Sequence, residues 1–392
     1  MSAFSKALLR DEVQDYIHQF EGDSSALAFA GSPFPDITIQ ELLQQIEGRK
    51  RIETKLPSWY NSKGIIYPPR VHLEQTSSEV TANYKAALMK ENTIIDITAG
   101  WGVDSFCFSK SSLETTSFEI NARLAEISKH NATVLNAANL QVKQGNGLEE
   151  IASLDVDVIY VDPSRRHDRK GKVFFLEDCE PNVPEHLDYL LKRCDTLWVK
   201  TSPMLDLNVG IESLKKVTEI HVVAVKNEVK EVLWKIENTK NDLLQVVSIN
   251  LLSSYSTPFK FLWNTESTSR YSTPMEYLYE PNAALMKSGA HRYLSEAFDL
   301  FKLAANTHLF TGAELIDFPG RTFKIIEQFP YSKKAMRSLN NLKKANITTR
   351  NFPESVVTIR KKWKLKEGGA TYLFFTTLAD GERTVIVCDK IS

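Results

Sequence analysis

The sequence predicts an α/β protein: a mostly parallel, doubly wound sheet ending in an antiparallel hairpin, with a helical domain before it and a small α/β domain after it. Three observations carry that expectation. From about residue 94, short β-branched runs alternate with helical segments, which calls for parallel strands joined by crossover helices. Two later runs, EIHVVAV and EVLWKIE, lie only a few residues apart, too close for a crossover and suited to a hairpin at the sheet edge. The chain of 392 residues is too long for one ordinary domain. The expected division is a helical domain over 1–68, the sheet domain over 69–252, a helical or ferredoxin-like connecting region over 270–318, and a final α/β domain over 319–392.

Taken in order, ITIQELLQQI places Ile39, Leu42, Leu43 and Ile46 on one helical face, with Thr38 and Glu41 spaced as a capping box. Pro57 and Pro68-Pro69 close that region. TIIDIT, TTSFEI, LQVKQGN, VDVIYVDP and TLWVKTS read as strands, and the helical segments between them begin at VDSFCFSK, ARLAEISKH, GLEEIASL and EHLDYLLKRC, with VGIESLKK following the last strand. Beyond a Ser/Thr-rich stretch come the strand RTFKIIEQF, a predicted helix SKKAMRSLNNLKK, the run ANITTRNF, and the helix ESVVTIRKKWK. The chain closes on a hairpin turning at Asp380-Gly381, a strong turn signal between alternating strands.

Bulk properties narrow the function. The net charge is −1, so nucleic-acid binding would have to come from uneven distribution of charge. Cys107, Cys179, Cys194 and Cys388 stand far apart with no C-x-x-C pair. That pattern argues against a zinc cluster or disulfide framework and for a reducing compartment, with no metal site expected. No apolar run suits a signal core or a membrane span, so a cytoplasmic location is expected.

The first strand ends in Asp96 and turns through Gly100 and Gly102 into a helix, and Glu119 closes the second strand. Glycines there let the backbone turn sharply beside a ligand, and an acid at the second strand can accept from both ribose hydroxyls. An adenosine-containing cofactor fits this pattern. A dinucleotide fingerprint needs a third glycine, where this chain has Ser105. With Asp96, Glu119 and the antiparallel ending, S-adenosylmethionine ranks above a nicotinamide cofactor.

LEQTSSEVTANYKAAL, IIDITAGWGVDSF, VDPSRR, LWVKTSPMLDL, YLYEPNAALMKSGAH and ITTRNFPESVVTIRKK together resemble a class I S-adenosylmethionine-dependent methyltransferase family with a THUMP-like C-terminal domain. The likeness runs from about residue 57 to the end, and it implies a Rossmann-like methyltransferase sheet and an RNA acceptor. Thr98 stands where such loops usually open on glycine. Gln75, Ser77 and Ser78 could meet the methionine part of the cofactor, although Thr76 and Glu79 also form a capping-box pattern. Asn146 could meet the adenine edge or serve a plain turn.

Asp162-Pro163 ends the fourth strand, where the transferred methyl group should point. A residue before proline is biased to extended backbone, which fixes its side-chain direction. Asp162 is therefore the expected catalytic carboxylate, with Pro163, Lys200 and Glu231 assisting. Asp162, Lys200, Glu231 and Lys85 also resemble the Lys-Asp-Lys-Glu set of ribose 2′-O-methyltransferases, although Lys85 stands too close in sequence to the first strand for that set. No cysteine stands at the end of the fifth strand, which disfavours methylation of pyrimidine carbon. Nitrogen methylation of an RNA base is placed ahead of the ribose reading, with Trp101 or Phe174 as stacking residues. A non-catalytic RNA-binding protein is the third reading.

Basic residues mark the RNA contacts. Arg165, Arg166, Arg169, Lys170 and Lys172 follow Asp162 directly. Between Ser332 and Lys366 stand eleven Lys or Arg, among them Lys333, Lys334, Arg337, Arg360, Lys361 and Lys362, against the single acid Glu354. Such a segment attracts phosphates, and tRNA or rRNA is the expected partner.

Overall fold

A computed structural model describes residues 4–165, 175–239, 243–251, 257–339 and 341–391. The chain divides into two compact units, residues 1–220 with 230–244 and residues 221–229 with 245–392.

The first unit opens with helices α1 (Asp11–Gln19), α2 (Ser24–Ala30) and α3 (Ile39–Ile52). The expected capping box starts α3: Thr38 N donates to Glu41 Oε2 at 3.0 Å and Glu41 N to Thr38 Oγ1 at 3.2 Å. Leu42, Ile46 and Ile52 are buried, as are Val13 and Ile17 of α1, so these helices cohere through one apolar face each. Then follow α4 (Glu79–Leu88), β1 (Thr93–Asp96), α5 (Val103–Ser109), β2 (Glu114–Glu119), α6 (Ala122–Val134), β3 (Leu140–Gln144), β4 (Val156–Val161), α7 (Val183–Leu190), β5 (Cys194–Thr201) and α8 (Leu207–Leu214). The chain then runs through β6 (Val217–Val225), which counts with the second unit from residue 221, into β7 (Glu228–Glu237), which counts with the first from residue 230.

Within this unit the strand order is β7-β5-β4-β1-β2-β3. All pairings are parallel except that of β7 with β5. The antiparallel ending follows from the chain itself. Lys226 and Asn227 separate β6 from β7 with φ of 49° and 66°, the primed-turn geometry that a two-residue hairpin requires. Val158, Ile159 and Val161 of β4 and Leu197 and Val199 of β5 are at most 3% exposed, as strands covered on both faces should be. Successive strands run outward from β1 on one side and from β4 on the other, so the crevice between β1 and β4 is the topological switch point where ligands bind in such sheets.

The second unit carries an antiparallel pair, β8 (Gln245–Leu251) with β9 (Phe259–Leu262). It then builds a seven-stranded sheet from β10 (Tyr277–Pro281), β11 (Phe301–Lys302), β12 (Phe310–Gly312), β13 (Gly320–Pro330), β14 (Asn346–Arg350), β15 (Thr371–Thr377) and β16 (Arg383–Lys390), in the order β11-β12-β10-β13-β16-β15-β14. Helix α9 (Val356–Trp363) lies between β14 and β15 in the chain, and these two strands pair in parallel, as a helical crossover permits. The Asp380-Gly381 turn joins β15 to β16 with Gly381 at φ 89°.

One expected helix is corrected. SKKAMRSLNNLKK forms only a short 3₁₀ turn, Ala335–Leu339. From Lys343 the backbone is paired instead with a later segment: Lys366 N donates to Lys343 O at 2.9 Å and Ala345 N to Lys366 O at 3.0 Å. Those bonds take backbone groups that a continuing helix would need. Among the described residues no helix is long and apolar enough to cross a membrane.

Candidate active site

The carboxyl edge of the parallel strands gathers most of the predicted site. Asp96 ends β1, Glu119 ends β2, Asn146 follows β3, Asp162 follows β4 and Lys200 lies near the end of β5. The turn after β1 passes between the flanking strands: Ile97 N donates to Tyr160 O at 3.1 Å and Ala99 N to Phe118 O at 2.9 Å. Gly100 (φ 56°) and Gly102 (φ 87°) adopt the left-handed region that glycine enters without cost. A Cβ at Gly102 would come within 2.2 Å of Ser128 Oγ, whereas one at Gly100 would meet nothing nearer than 4.0 Å. Gly100 therefore faces open space beside Glu119.

Glu119 takes one backbone amide on each carboxylate oxygen, Gly100 N at 2.9 Å and Asn121 N at 2.8 Å. Burial raises its pKa while these two amides pull the other way. Each oxygen keeps a further lone pair, so the half-exposed carboxylate can also accept from a diol. Asp96 is 1% exposed. Burial pushes its pKa up to about 7 against hydrogen bonds from Ser105 and Thr98. Thr98 has a specific use in place of glycine. Its hydroxyl accepts from Asp162 N at 2.7 Å and lies 3.3 Å from Asp96 Oδ1 as donor, so one side chain ties the first acid to the backbone of the fourth strand's acid.

Asp162 is held from its other end by Lys200, whose Nζ stands 2.5 Å from Oδ2. Burial works against the Lys200 charge, yet Asp162, Asp104 and Glu231 together raise its pKa above the ordinary lysine value. The carboxylate remains about one-third exposed while the lysine is 11% exposed, so Asp162 presents the accessible end of this pair. Pro163 beside it is buried.

Beneath this pair lies a second ionic group. Lys85 of α4 is fully buried. It donates to both carboxylate oxygens of Glu231 at 3.0 Å and to Ser77 Oγ at 2.8 Å, and stands 3.1 Å from Asp104 Oδ1. Ser77 Oγ and Tyr160 OH each donate to Asp104 Oδ2 at 2.9 Å. Burial opposes the Asp104 charge, but Lys85, Lys200 and those hydroxyls hold its carboxyl below the ordinary range. Lys85 nevertheless meets Glu231, because a helix packed on the sheet reaches a strand 146 positions away. Glu231 is 2% exposed and meets Lys85 rather than the surface. Tyr160, Asp162, Lys200 and Glu231 share one face of the sheet by register, since Tyr160 pairs with Trp198 and Lys200 with Leu233.

Other predicted residues fall elsewhere. Ser77 serves the buried group. Asn146 spends its amide on Leu148 N at 3.2 Å and Glu149 Oε1 at 2.8 Å as the cap of the short helix Gly147–Glu150. Gln75 is exposed at the end of the helix Arg70–Gln75. Trp101 is corrected as a stacking residue: it is 2% exposed, packs against Trp59 with centroids 4.5 Å apart, and donates to Ile66 O. Arg165 is exposed in the two-residue strand Ser164–Arg165, whereas Arg166, Arg169, Lys170, Lys172 and Phe174 lie outside the described residues. Sequence reasoning missed Asp104 and Tyr160. A lysine at position 85 among the buried Ala82, Ala86 and Met89, on the core face of a helix, was the available signal.

In the second unit, Lys333, Lys334, Arg337 and Lys361 are exposed. Lys362 is engaged with Glu354 at 2.9 Å and Tyr331 OH at 2.9 Å, and Arg360 donates to Ala345 O at 3.1 Å. The bridge between Lys344 and Lys366 brings two basic runs side by side, so that Lys343, Lys344, Lys364 and Lys366, all exposed, form one cluster.

The fold and this strand-edge site define a class I methyltransferase architecture. The chain is similar over its full length, and over the full length of that chain, to a protein described as a "putative methyltransferase from Porphyromonas gingivalis W83", with 30% identity and a TM-score of 0.91. It belongs to the same methyltransferase family; in its C-terminal part a ferredoxin-like domain model matches residues 277–319 and a THUMP domain-like model matches residues 320–390. Two remoter structures resemble parts of the chain. They are a "putative RNA methyltransferase" from Pyrococcus horikoshii (15% identity, 46% of this chain, 95% of that one, TM-score 0.33) and the tRNA m1G37 methyltransferase of M. jannaschii (12%, 42%, 51%, 0.31). No curated protein matches the chain.

Proposed function

We propose that the chain transfers a methyl group from S-adenosylmethionine to RNA, with tRNA or rRNA as acceptor and a base nitrogen as the target atom. The carrying observation is Asp162, an accessible carboxylate fixed by Thr98 on its amide and Lys200 on its oxygen, next to a glycine turn with open space. The residues present fit the donor: Glu119 has lone pairs left for a ribose diol, and Gly100 leaves the room a side chain would fill. S-adenosylmethionine supplies an already activated methyl group when bound, which leaves alignment and proton handling to the protein. Asp162 would face the acceptor, accepting a hydrogen bond from the attacking amine and orienting it, with the buried Pro163 fixing the backbone behind it. Thr98, Gly100 and Glu119 would hold the donor, and Asp96 and Gly102 would shape the turn from beneath it.

Nitrogen is favoured over ribose oxygen because Lys85 and Glu231 are spent on each other in the interior, leaving only half of a Lys-Asp-Lys-Glu set near the surface. The exposed cluster of Lys343, Lys344, Lys364 and Lys366, with Lys333, Lys334, Arg337 and Lys361, would hold the RNA by its phosphates.

The test is incorporation of labelled methyl from S-adenosylmethionine into bulk RNA from a strain lacking the gene, followed by mapping of the modified nucleotide. Asp162→Ala should lower the rate at least about a thousandfold while donor affinity, measured by calorimetry, stays within about threefold. Full activity in that variant, or no incorporation by the wild-type chain, would refute the reading.

A further inference from the structure

The buried group beneath Asp162 is costly. Each charge taken out of water is penalised by several kcal/mol, and apolar replacements of buried ion pairs are often as stable. A role in the fold alone does not account for one lysine and two acids in the interior of the first unit. Their arrangement relative to Lys200 does. The Lys200 ammonium lies in the field of three carboxylates, Asp162, Asp104 and Glu231, and it bonds Asp162. The other two are already engaged. Glu231 takes Lys85 on both oxygens, while Asp104 takes Lys85 on Oδ1 and the hydroxyls of Ser77 and Tyr160 on Oδ2.

We propose that Lys85 is a positioning residue for Asp162: by occupying Glu231 and Asp104 it leaves Lys200 to the carboxylate at the mouth of the site. Without Lys85, two buried acids of the same sheet face and its covering helix compete for Lys200. Lys200 is drawn inward, and Asp162 loses the partner that fixes its direction. Lys85 itself touches neither donor nor acceptor, since it is fully buried. The proposal rests on Asp162 being the group that faces the acceptor.

A double-mutant cycle tests it. Initial rates of labelled methyl transfer to bulk RNA at saturating RNA, donor affinity by calorimetry, and melting temperature are measured for Lys85→Met, Lys200→Ala and the pair together. Lys85→Met is expected to slow transfer about 10- to 100-fold with donor affinity within about threefold, because Gly100 and Glu119 are untouched. In the Lys200→Ala background the same substitution should cost less than about twofold more. An undiminished loss in that background, or a loss that only tracks donor affinity and melting temperature, overturns the proposal. Lys85→Met/Glu231→Gln removes the cation together with one competing acid, so it covers the case in which Lys85→Met alone fails to fold. Its rate should stay well above that of Lys200→Ala, and a loss as large as that of Lys200→Ala overturns the proposal. Asp162→Ala separates the two levels. If that variant stays active, the reading of Asp162 fails; if it is inactive and the cycle is additive, only the role of Lys85 fails.

Discussion

The two units hold charge in opposite ways. In the first, Lys85 with Glu231 and Asp104, and Lys200 with Asp162, are matched at 2.5–3.1 Å, and of the five only Asp162 is more than about a tenth exposed. In the second, Lys343, Lys344, Lys364 and Lys366 stand exposed along two runs joined by the bridge from Lys344 to Lys366. On the proposed function the contrast is one of purpose. Matched interior charges keep a fixed geometry and are little screened by salt, as alignment of reacting groups requires. Exposed cations attract a polyanion at a distance and lose that attraction within a Debye length of about 10 Å at 0.1 M salt. The second unit does bury an acid, Glu280, 3% exposed, which accepts from Arg321 Nε at 2.7 Å and Arg350 Nη2 at 2.9 Å. There Asn282 caps the following turn of helix by accepting from Leu285 N, so the Glu-Pro-Asn stretch of the sequence has a structural use.

The contrast breaks most visibly if salt acts on both units alike. Reversing the cluster, with Lys343, Lys344, Lys364 and Lys366 each changed to Glu, should weaken RNA binding about 100-fold or more. It should also flatten the plot of log affinity against log salt by roughly 0.7–0.9 for each phosphate that is no longer neutralised. Turnover at saturating RNA should be nearly unchanged, and filter binding and initial rates across a salt series read the two effects separately. A smaller effect is expected at the donor side of the first unit. Glu119→Ala removes the acceptor for two backbone amides and for the diol, and should weaken S-adenosylmethionine by about 10- to 30-fold in calorimetry, on the scale of hydrogen bonds to a charged group. Thr98→Val keeps the shape of residue 98 but leaves Asp162 N without its acceptor. At about 1–2 kcal/mol for an orphaned amide, transfer should slow about tenfold, with RNA affinity unaltered. If Thr98→Val instead weakened RNA and spared the rate, the division of labour drawn from the two charge patterns would fail.

How much of this was legible in the sequence follows the range of the forces involved. The alternation of strand and helix, the capping box at Thr38 and Glu41, and the Asp380-Gly381 turn are local, so periodicity and turn chemistry located them. The strand-ending acids Asp96 and Glu119, and Asp162 just beyond its strand, were legible for the same reason, because a carboxylate at the end of an apolar run is costly to desolvate and stands out against its neighbours. What escaped depends on contacts between distant segments. Lys85 meets Glu231 across the fold, and no spacing rule spans that gap. Trp101 stands in the glycine turn but points into an aromatic group with Trp59 and Tyr67, which only the packing of the N-terminal helical region decides. The helix expected over SKKAMRSLNNLKK lost to a backbone pairing with Lys366, where tertiary bonds override a weak local propensity.

The smallest effect concerns whether the second unit also hides titratable groups that resist charging. His291 and His308 pack edge to face with centroids 4.2 Å apart. Burial lowers the His291 pKa to about 4, and His308, Lys302 and Arg292 push it in the same direction; burial, Lys302 and Arg350 lower that of His308. Lys302, Arg292 and Arg350 are all cationic and favour the neutral form of the two rings. A folded-state value below the ordinary 6.5 means that the unfolded chain binds more protons between pH 6.5 and about 4, so stability must fall as pH drops through that window and be level above it. With both rings part exposed, solvent screening reduces the effect to about 1 kcal/mol, a shift of a few degrees in melting temperature. His291→Gln should flatten the dependence of melting temperature on pH between 6.5 and 4 while leaving RNA affinity at pH 7.5 unchanged. A curve as steep as the wild type's would mean that the pair is solvated and charges as freely as in the unfolded chain.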